Sequence, residues 1–177
     1  MGAEFLSDLK QLIRDIPDFP KPGILFRDIT PLLRDPEGFA QATRGMVEKF
    51  EDGDEFDLVV GVEARGFIFG AAMALHLGKG FVPIRKAGKL PFGTVKAAYE
   101  LEYGTAEIEI HEDAVTRGQR ILLVDDVLAT GGTMACSCRL MEELGAQVIG
   151  IGFLIELVAL NGRELLQGYQ VEASLQY

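Results

Sequence analysis

Only two cysteines and two histidines occur in the 177 residues. Cys136 and Cys138 stand two apart in one helical pattern, where such neighbours point in different directions, so a disulfide between them is not expected. No His or Cys elsewhere is spaced to complete a zinc site. The two thiols read as small buried side chains, and neither His76, in an apolar helical stretch, nor His111, at a strand end, is assigned to catalysis. No apolar run approaches the roughly 20 residues that span a bilayer. The start, Met1-Gly2-Ala3-Glu4-Phe5, lacks the basic region of a secretory signal. Ser7 lies one place beyond the serine of a myristoylation signal. A cytoplasmic protein is therefore expected. Positive charge is also scarce: 17 Lys and Arg against 27 Asp and Glu give a formal net charge of −10. Nucleic-acid binding draws most of its affinity from phosphate neutralisation, so this balance argues against it. An anionic ligand would need a local cationic patch.

Two familiar phosphate loops are missing as well. There is no Gly-x-x-x-x-Gly-Lys, and no Gly-x-Gly-x-x-Gly follows a strand, which counts against P-loop and ordinary dinucleotide-binding proteins. What the chain does contain is Ile121-Leu122-Leu123-Val124-Asp125-Asp126-Val127-Leu128-Ala129-Thr130-Gly131-Gly132-Thr133. A short apolar run that delivers polar groups at its carboxyl end reads as a buried parallel strand. The Ala-Thr-Gly-Gly-Thr turn can wrap backbone N–H groups around a phosphate, because glycine tolerates positive φ and has no Cβ to block approach. The helix after it adds unpaired N–H groups and a partial positive charge. An Asp that merely caps a helix would give part of this pattern. Two adjacent carboxylates argue for more, since like charges need a cation or hydroxyls between them.

Elsewhere, hydrophobic periodicity predicts a helix over residues 4–14 (Phe5, Leu6, Leu9, Leu12, Ile13) and, after prolines 17, 20 and 22, an extended segment. A helix opens at Asp35-Pro36-Glu37 and reaches about Phe50. Strand 58–60, helix 66–77 and strand 81–84 follow, then a hairpin of 95–101 with 105–110. The signature helix reaches about Leu144 and stops at Gly145. Strand 148–155, a short helix opened by an Asn161/Glu164 capping box and closed by Gly168, and a last strand 170–174 complete the pattern. Strands alternating with helices predict a single α/β domain over 1–177, its mostly parallel sheet flanked by helices, with ligands beyond the strands' carboxyl ends.

Four further strings carry charge or aromatic groups near such positions. Glu63-Ala64-Arg65-Gly66-Phe67 places an Arg at the mouth of a helix, where its planar fork suits phosphate oxygens. Arg85-Lys86-Ala87-Gly88-Lys89 makes an electropositive rim in an acidic chain. Tyr99-Glu100-Leu101-Glu102-Tyr103-Gly104 lies in a segment whose Gly88, Pro91 and Gly93 suggest a mobile lid, residues 87–110. The sequence alone does not separate Glu102 from Glu100. Phe19-Pro20-Lys21-Pro22-Gly23-Ile24-Leu25-Phe26-Arg27-Asp28 is an apolar strap that either packs on the core or sandwiches a flat heterocycle.

From residue 17 to about 155 these strings resemble, in order, those of type I phosphoribosyltransferases, in particular the adenine-specific members. The resemblance implies transfer of the 5-phosphoribosyl group from phosphoribosyl pyrophosphate to adenine, giving AMP and pyrophosphate, with Mg²⁺ bound along with the phosphoribosyl pyrophosphate. It implies that Asp125 and Asp126 hold the ribose, and touch the metal if any protein group does. Ala129, Thr130, Gly131, Gly132 and Thr133 would hold the 5′-phosphate, and Arg65, Arg85, Lys86 and Lys89 the pyrophosphate. Leu25, Phe26 and Arg27, in a hood within residues 1–34, would contact adenine. Glu102 would handle the base's proton beside Tyr103. A homodimer is implied too. An oxopurine-specific enzyme would share the sugar-phosphate parts, and a nucleotide-sensing regulator the scaffold. The carboxyl end is shorter than in many relatives, which leaves the role of the last strand open.

Overall fold

A computed structural model describes residues 9–51, 55–100 and 105–177. They belong to two compact units, residues 1–45 and 46–177. In the first, β1 (Arg14–Pro17) pairs antiparallel with β2 (Leu25–Asp28), Arg14 opposite Asp28 and Pro17 opposite Leu25. The proline-punctuated strap is thus a hairpin. Its turn is closed by the Gly23 amide donating to Asp18 Oδ1 at 2.7 Å, with Gly23 at φ +85°. The helix expected over 4–14 is helical only at 9–11 among its described residues and gives way to strand at Arg14. The hairpin wins that residue, because the Arg14 guanidinium donates twice to Asp28 Oδ2, at 3.0 and 2.7 Å. Asp28 also accepts from the amide and hydroxyl of Thr30, so it opens a short helix that periodicity did not reveal, α1 (Thr30–Arg34). Those Thr30 bonds, with Arg14, hold the Asp28 carboxyl below its usual range despite burial. α2 (Pro36–Glu51) starts where expected, with Asp35 Oδ1 accepting the Gly38 amide at 2.7 Å.

The second unit is a seven-stranded sheet in the order β5-β6-β4-β3-β7-β8-β9. β3 (Leu58–Val62), β4 (Gly80–Lys86), β7 (Arg120–Leu128), β8 (Gln147–Glu156) and β9 (Val171–Gln176) run parallel. β5 (Thr94–Glu100) and β6 (Thr105–His111) form the expected antiparallel hairpin, and β6 pairs antiparallel with β4. Val59, Val60, Leu122 and Leu123, on the central strands, are wholly buried, as strands covered on both faces must be. α3 (Gly66–Leu77) connects β3 to β4, and α4 (Gly132–Glu143) connects β7 to β8. The chain leaves β3 toward a neighbour on one side and β7 toward a neighbour on the other, so a crevice opens between their carboxyl ends.

Beyond β8 the capping box does not form. Asn161 takes a left-handed conformation (φ +52°) and caps nothing with its side chain; its carbonyl instead accepts the Glu164 amide at 3.0 Å. Two 3₁₀ turns, Val158–Leu160 and Gly162–Leu166, replace the α-helix. The last strand runs two residues past the expected end and adds β9 to the sheet edge. Arg163 ties these parts together. It donates to both oxygens of the buried Glu156 carboxylate, at 2.6 and 2.9 Å, and to the Val171 carbonyl at 2.8 Å.

Arg163→Ala leaves Glu156 buried without its main partner. The expected loss is about 1–2 kcal/mol by chemical denaturation, at the lower end because Arg163 is partly exposed. The Glu156 carboxyl lies below its ordinary 4.5, chiefly because Arg163 donates to it. A depressed carboxyl contributes stability above its unfolded value and loses it as pH falls through the folded value. The gap between the variant and the unaltered chain therefore closes below pH 4.5.

Candidate active site

Strand β7 carries both acidic side chains of the signature. Asp126 is buried and forms an ion pair with Arg65, Nε to Oδ2 at 2.7 Å. Asp125 is half-buried, and its Oδ1 accepts the Asp126 amide at 2.8 Å. The pairing follows from the fold, since β3 and β7 are neighbours and the turn after β3 arrives beside the end of β7. It also requires glycine at 66. A Cβ there would stand 2.8 Å from both Asp125 Oδ1 and the Val124 carbonyl. Burial and the charge of Asp126 push the Asp125 carboxyl well above its usual range. Burial likewise raises Asp126, with Arg65 opposing.

The loop after these acids closes with Gly131 at φ +84°, and no side chain caps α4. The first-turn amides are thus presented to a small pocket of about 70 Å³, lined by Asp125, Leu128, Phe153 and residues 129–134. That is far below the roughly 300–1,000 Å³ of a whole small-molecule site, so it takes one terminal group of a ligand. Behind the loop, Gly131 and Gly162 meet backbone to backbone: a Cβ on Gly131 would strike the Gly162 carbonyl, and one on Gly162 the Ala129 carbonyl. The 3₁₀ turn that Arg163 anchors is therefore the floor of the glycine loop. Gly162 carries no local signal and could not have been read from the sequence.

At the end of β4, Glu63 organises the cationic rim. Its Oε2 accepts Arg85 Nε at 3.2 Å and the Lys86 amide at 2.9 Å, and Arg85 Nη1 reaches the Lys89 carbonyl at 3.2 Å. Burial would raise the Glu63 carboxyl, but the Lys86 amide and Arg85 outweigh it and bring it below its usual range. Arg85 is thus partly committed to the protein. Lys86 and Lys89 make no ion pair among the described residues. The Glu63–Ala64 peptide is cis.

A larger groove of about 590 Å³ lies beside α4, lined by Ala98, Tyr99, Thr105, Ala135, Arg139 and Leu165 and touching the loop only at Gly132. Among the described residues its lining has no carboxylate, whereas the smaller pocket includes Asp125. Leu25, Phe26 and Arg27 lie on β2 in the first unit. There Phe26 packs edge-on against Phe19 at 5.2 Å and Arg27 pairs with Asp15. Glu102 and Tyr103 lie outside the described residues. Cys136 and Cys138 are buried and free. Burial, reinforced by Glu142, pushes the Cys138 thiol up to about 12, which makes it inert.

Asp125→Asn keeps the acceptor for the Asp126 amide and removes a penalised charge. The raised folded carboxyl costs nothing below its unfolded value and progressively more above it. The unliganded variant is therefore expected to melt about 2–4 °C higher near neutral pH, with the gain vanishing below pH 3.8 in a calorimetric pH series.

Residues 28–166 match the family model of the phosphoribosyl transferase domain. The adenine phosphoribosyltransferase of Thermotoga neapolitana is 59% identical over 170 residues, covering 96% of this chain and 99% of that protein. That of Acetivibrio thermocellus is 55% identical over the same shares. The crystal structure of the Thermoanaerobacter pseudethanolicus enzyme is similar at a TM-score of 0.94 and 52% identity, over 97% of this chain and 99% of that one. The Saccharomyces cerevisiae enzyme, solved with an imino-altritol bisphosphate and adenine, superposes at 0.91 with 40% identity, over 98% of this chain and all of that one. The α/β sheet flanked by helices expected from the sequence is the fold of these enzymes. A likeness of this depth, running through the acidic pair and the loop it leads into, places the chain in the phosphoribosyltransferase family.

Proposed function

We propose that the chain is an adenine phosphoribosyltransferase, which joins adenine to phosphoribosyl pyrophosphate to give AMP and pyrophosphate. One observation carries the reading: a half-buried Asp125 and a buried Asp126, both pushed above their usual range, stand at the mouth of an uncapped helix whose glycine loop offers its amides. A sugar phosphate answers both needs. Its hydroxyls donate to Asp125 and Asp126, and its 5′-phosphate takes the amides of Ala129, Thr130, Gly131, Gly132 and Thr133. The choice of adenine is supported by the hood string and by the names of relatives that match nearly the full chain. At the tip of that hairpin Phe19, Ile24 and Leu25 are exposed, an apolar surface suited to a flat base.

In the transfer, the bond from C1′ to the pyrophosphate oxygen breaks and a bond from C1′ to the base nitrogen forms. The proton leaving that nitrogen passes to Glu102, with Tyr103 positioning the base. C1′ becomes cation-like, so catalysis rests on placement and charge stabilisation more than on reactive side chains. Arg65, Arg85, Lys86 and Lys89 hold the departing pyrophosphate. Among the described residues no group of three acids, His or Cys gathers to cage a metal. Asp125 and Asp126 nonetheless fit an ion shared with a substrate, because a cation would relieve their mutual repulsion. Mg²⁺ supplies charge neutralisation for the pyrophosphate.

The dimer implied by the family has a matching surface. α3 is apolar apart from His76, yet Leu75 and Ile68 are exposed, and a second copy would cover them. No described helix is long and apolar enough to cross a membrane. Free, buried thiols agree with a cytoplasmic enzyme.

With Mg²⁺ and phosphoribosyl pyrophosphate, adenine is expected to release pyrophosphate faster than hypoxanthine or guanine. Adenine as the poorest of the three would remove the base assignment, and no release with any base would favour a sensor. Joint replacement of Asp125 and Asp126 by Asn is expected to abolish turnover with the fold intact by circular dichroism. Glu102→Ala is expected to lower kcat by about 10²-fold or more while moving KM little. Equal loss from Glu100→Ala would undo that assignment.

A further inference from the structure

Glu109, on β6, had no role in the sequence reading, yet it is 2% exposed and faces Arg85 across the β4–β6 ladder. Its Oε1 accepts the Lys89 amide at 2.7 Å and the Leu90 amide at 2.9 Å. Its Oε2 takes the Thr94 hydroxyl at 3.4 Å and lies 3.8 Å from Lys96 Nζ. A carboxylate so deeply placed must be matched by donors. Here burial, which would raise the carboxyl, is outweighed by the amides of Leu90, Gly88 and Lys89 and by Lys96, so it stays ionised. The same loop is tied to β6 a second time, where the Ala87 amide donates to the Glu107 carbonyl at 3.1 Å, and Gly88 turns at φ +80° between the two ties.

What Glu109 does not bind is as informative. Glu109 has Lys96 as its ion partner and neutralises none of the three rim cations, Arg85, Lys86 and Lys89, among the described residues. Glu109 takes the main-chain amide of Lys89 instead and leaves the ammonium without an ion pair among the described residues. Glu63 treats Lys86 the same way, through its amide. We propose that Glu109 is a positioning residue for the pyrophosphate half of the reaction: by clamping the amides of residues 89 and 90 it fixes the loop that presents Lys89, without consuming that cation. The inference rests on assigning the rim to pyrophosphate. It predicts that reach matters more than charge, because the donors are amides at fixed distance.

Titration calorimetry with Mg²⁺-pyrophosphate and, separately, with AMP tests this, since AMP carries the sugar phosphate but not the leaving group. Glu109→Asp keeps the charge but withdraws it by one methylene. Glu109→Gln keeps an oxygen in place for both amides. The Asp variant is expected to bind pyrophosphate about tenfold more weakly with AMP affinity within about twofold, while the Gln variant stays within about threefold for both. Unchanged pyrophosphate affinity in the Asp variant would overturn the inference. So would parallel loss of both ligands, which marks a general structural role, or a Gln variant weaker than the Asp variant, which marks charge. If the unaltered chain binds AMP but no pyrophosphate, the rim assignment itself falls and this inference with it.

Discussion

The contact between Arg65 and Asp126 joins the turn after one central strand to the end of the next, and the site is arranged around it. Two carboxylates side by side in a strand covered on both faces repel each other and lose hydration. Arg65 opposes the rise, most strongly at Asp126, yet both carboxyls stay above their usual range. The geometry is permitted only because residue 66 has no side chain, so the helix mouth presses directly on Asp125. The unliganded protein therefore carries an electrostatic cost at the point where a sugar's hydroxyls, as neutral donors, would remove it. On the proposed function, stability would be given up there in favour of binding, as is common where residues are held for chemistry.

A second constraint comes from overall charge. A chain at −10 that handles a multiply anionic substrate must build positive potential locally. It does so by satisfying nearby acids with main-chain amides. Glu63 and Glu109 both lie beside the rim, and both hold backbone N–H groups there, so their negative charge stiffens the loop while Lys86 and Lys89 make no ion pair among the described residues. On the proposed function the loop of residues 129–133 does the reverse, offering amides of its own to an anion. Backbone dipoles do not reorganise as charge develops, which is why such sites hold their potential through a reaction.

What could be read from the sequence was what is local. The buried strands, the helix from 66 to 77, the hairpin of β5 and β6 and the phosphate loop each announce themselves within a dozen residues. Gly145 and Gly168 stop their elements at positive φ as turn chemistry requires. The failures share one cause. The first helix ends early because Arg14 is captured by Asp28, fourteen residues on, and the capping box fails because Asn161 is held left-handed at the head of a 3₁₀ turn. Glu109, Glu63 and Gly162 matter through contacts with partners 13 to 33 residues away, and no period or spacing encodes them.

The parts that specify the base and the parts that hold the sugar phosphate are separated along the chain, the proposed adenine contacts lying within residues 1–45 and the acids, loop and rim within 46–177. They also differ in physical kind. The hairpin of the first unit offers exposed apolar side chains, which on the proposed function would discriminate flat ligands by shape. The second unit offers fixed charge and amides, which suit any phosphoribosyl donor whatever base follows. On the proposed function, a change of base preference would therefore be sought first in the Phe19–Arg27 hairpin. Substitutions at Gly66, Gly131 or Gly162 act at the opposite extreme: each forces main chain apart within the sugar-phosphate machinery, so the loss would fall on every base alike.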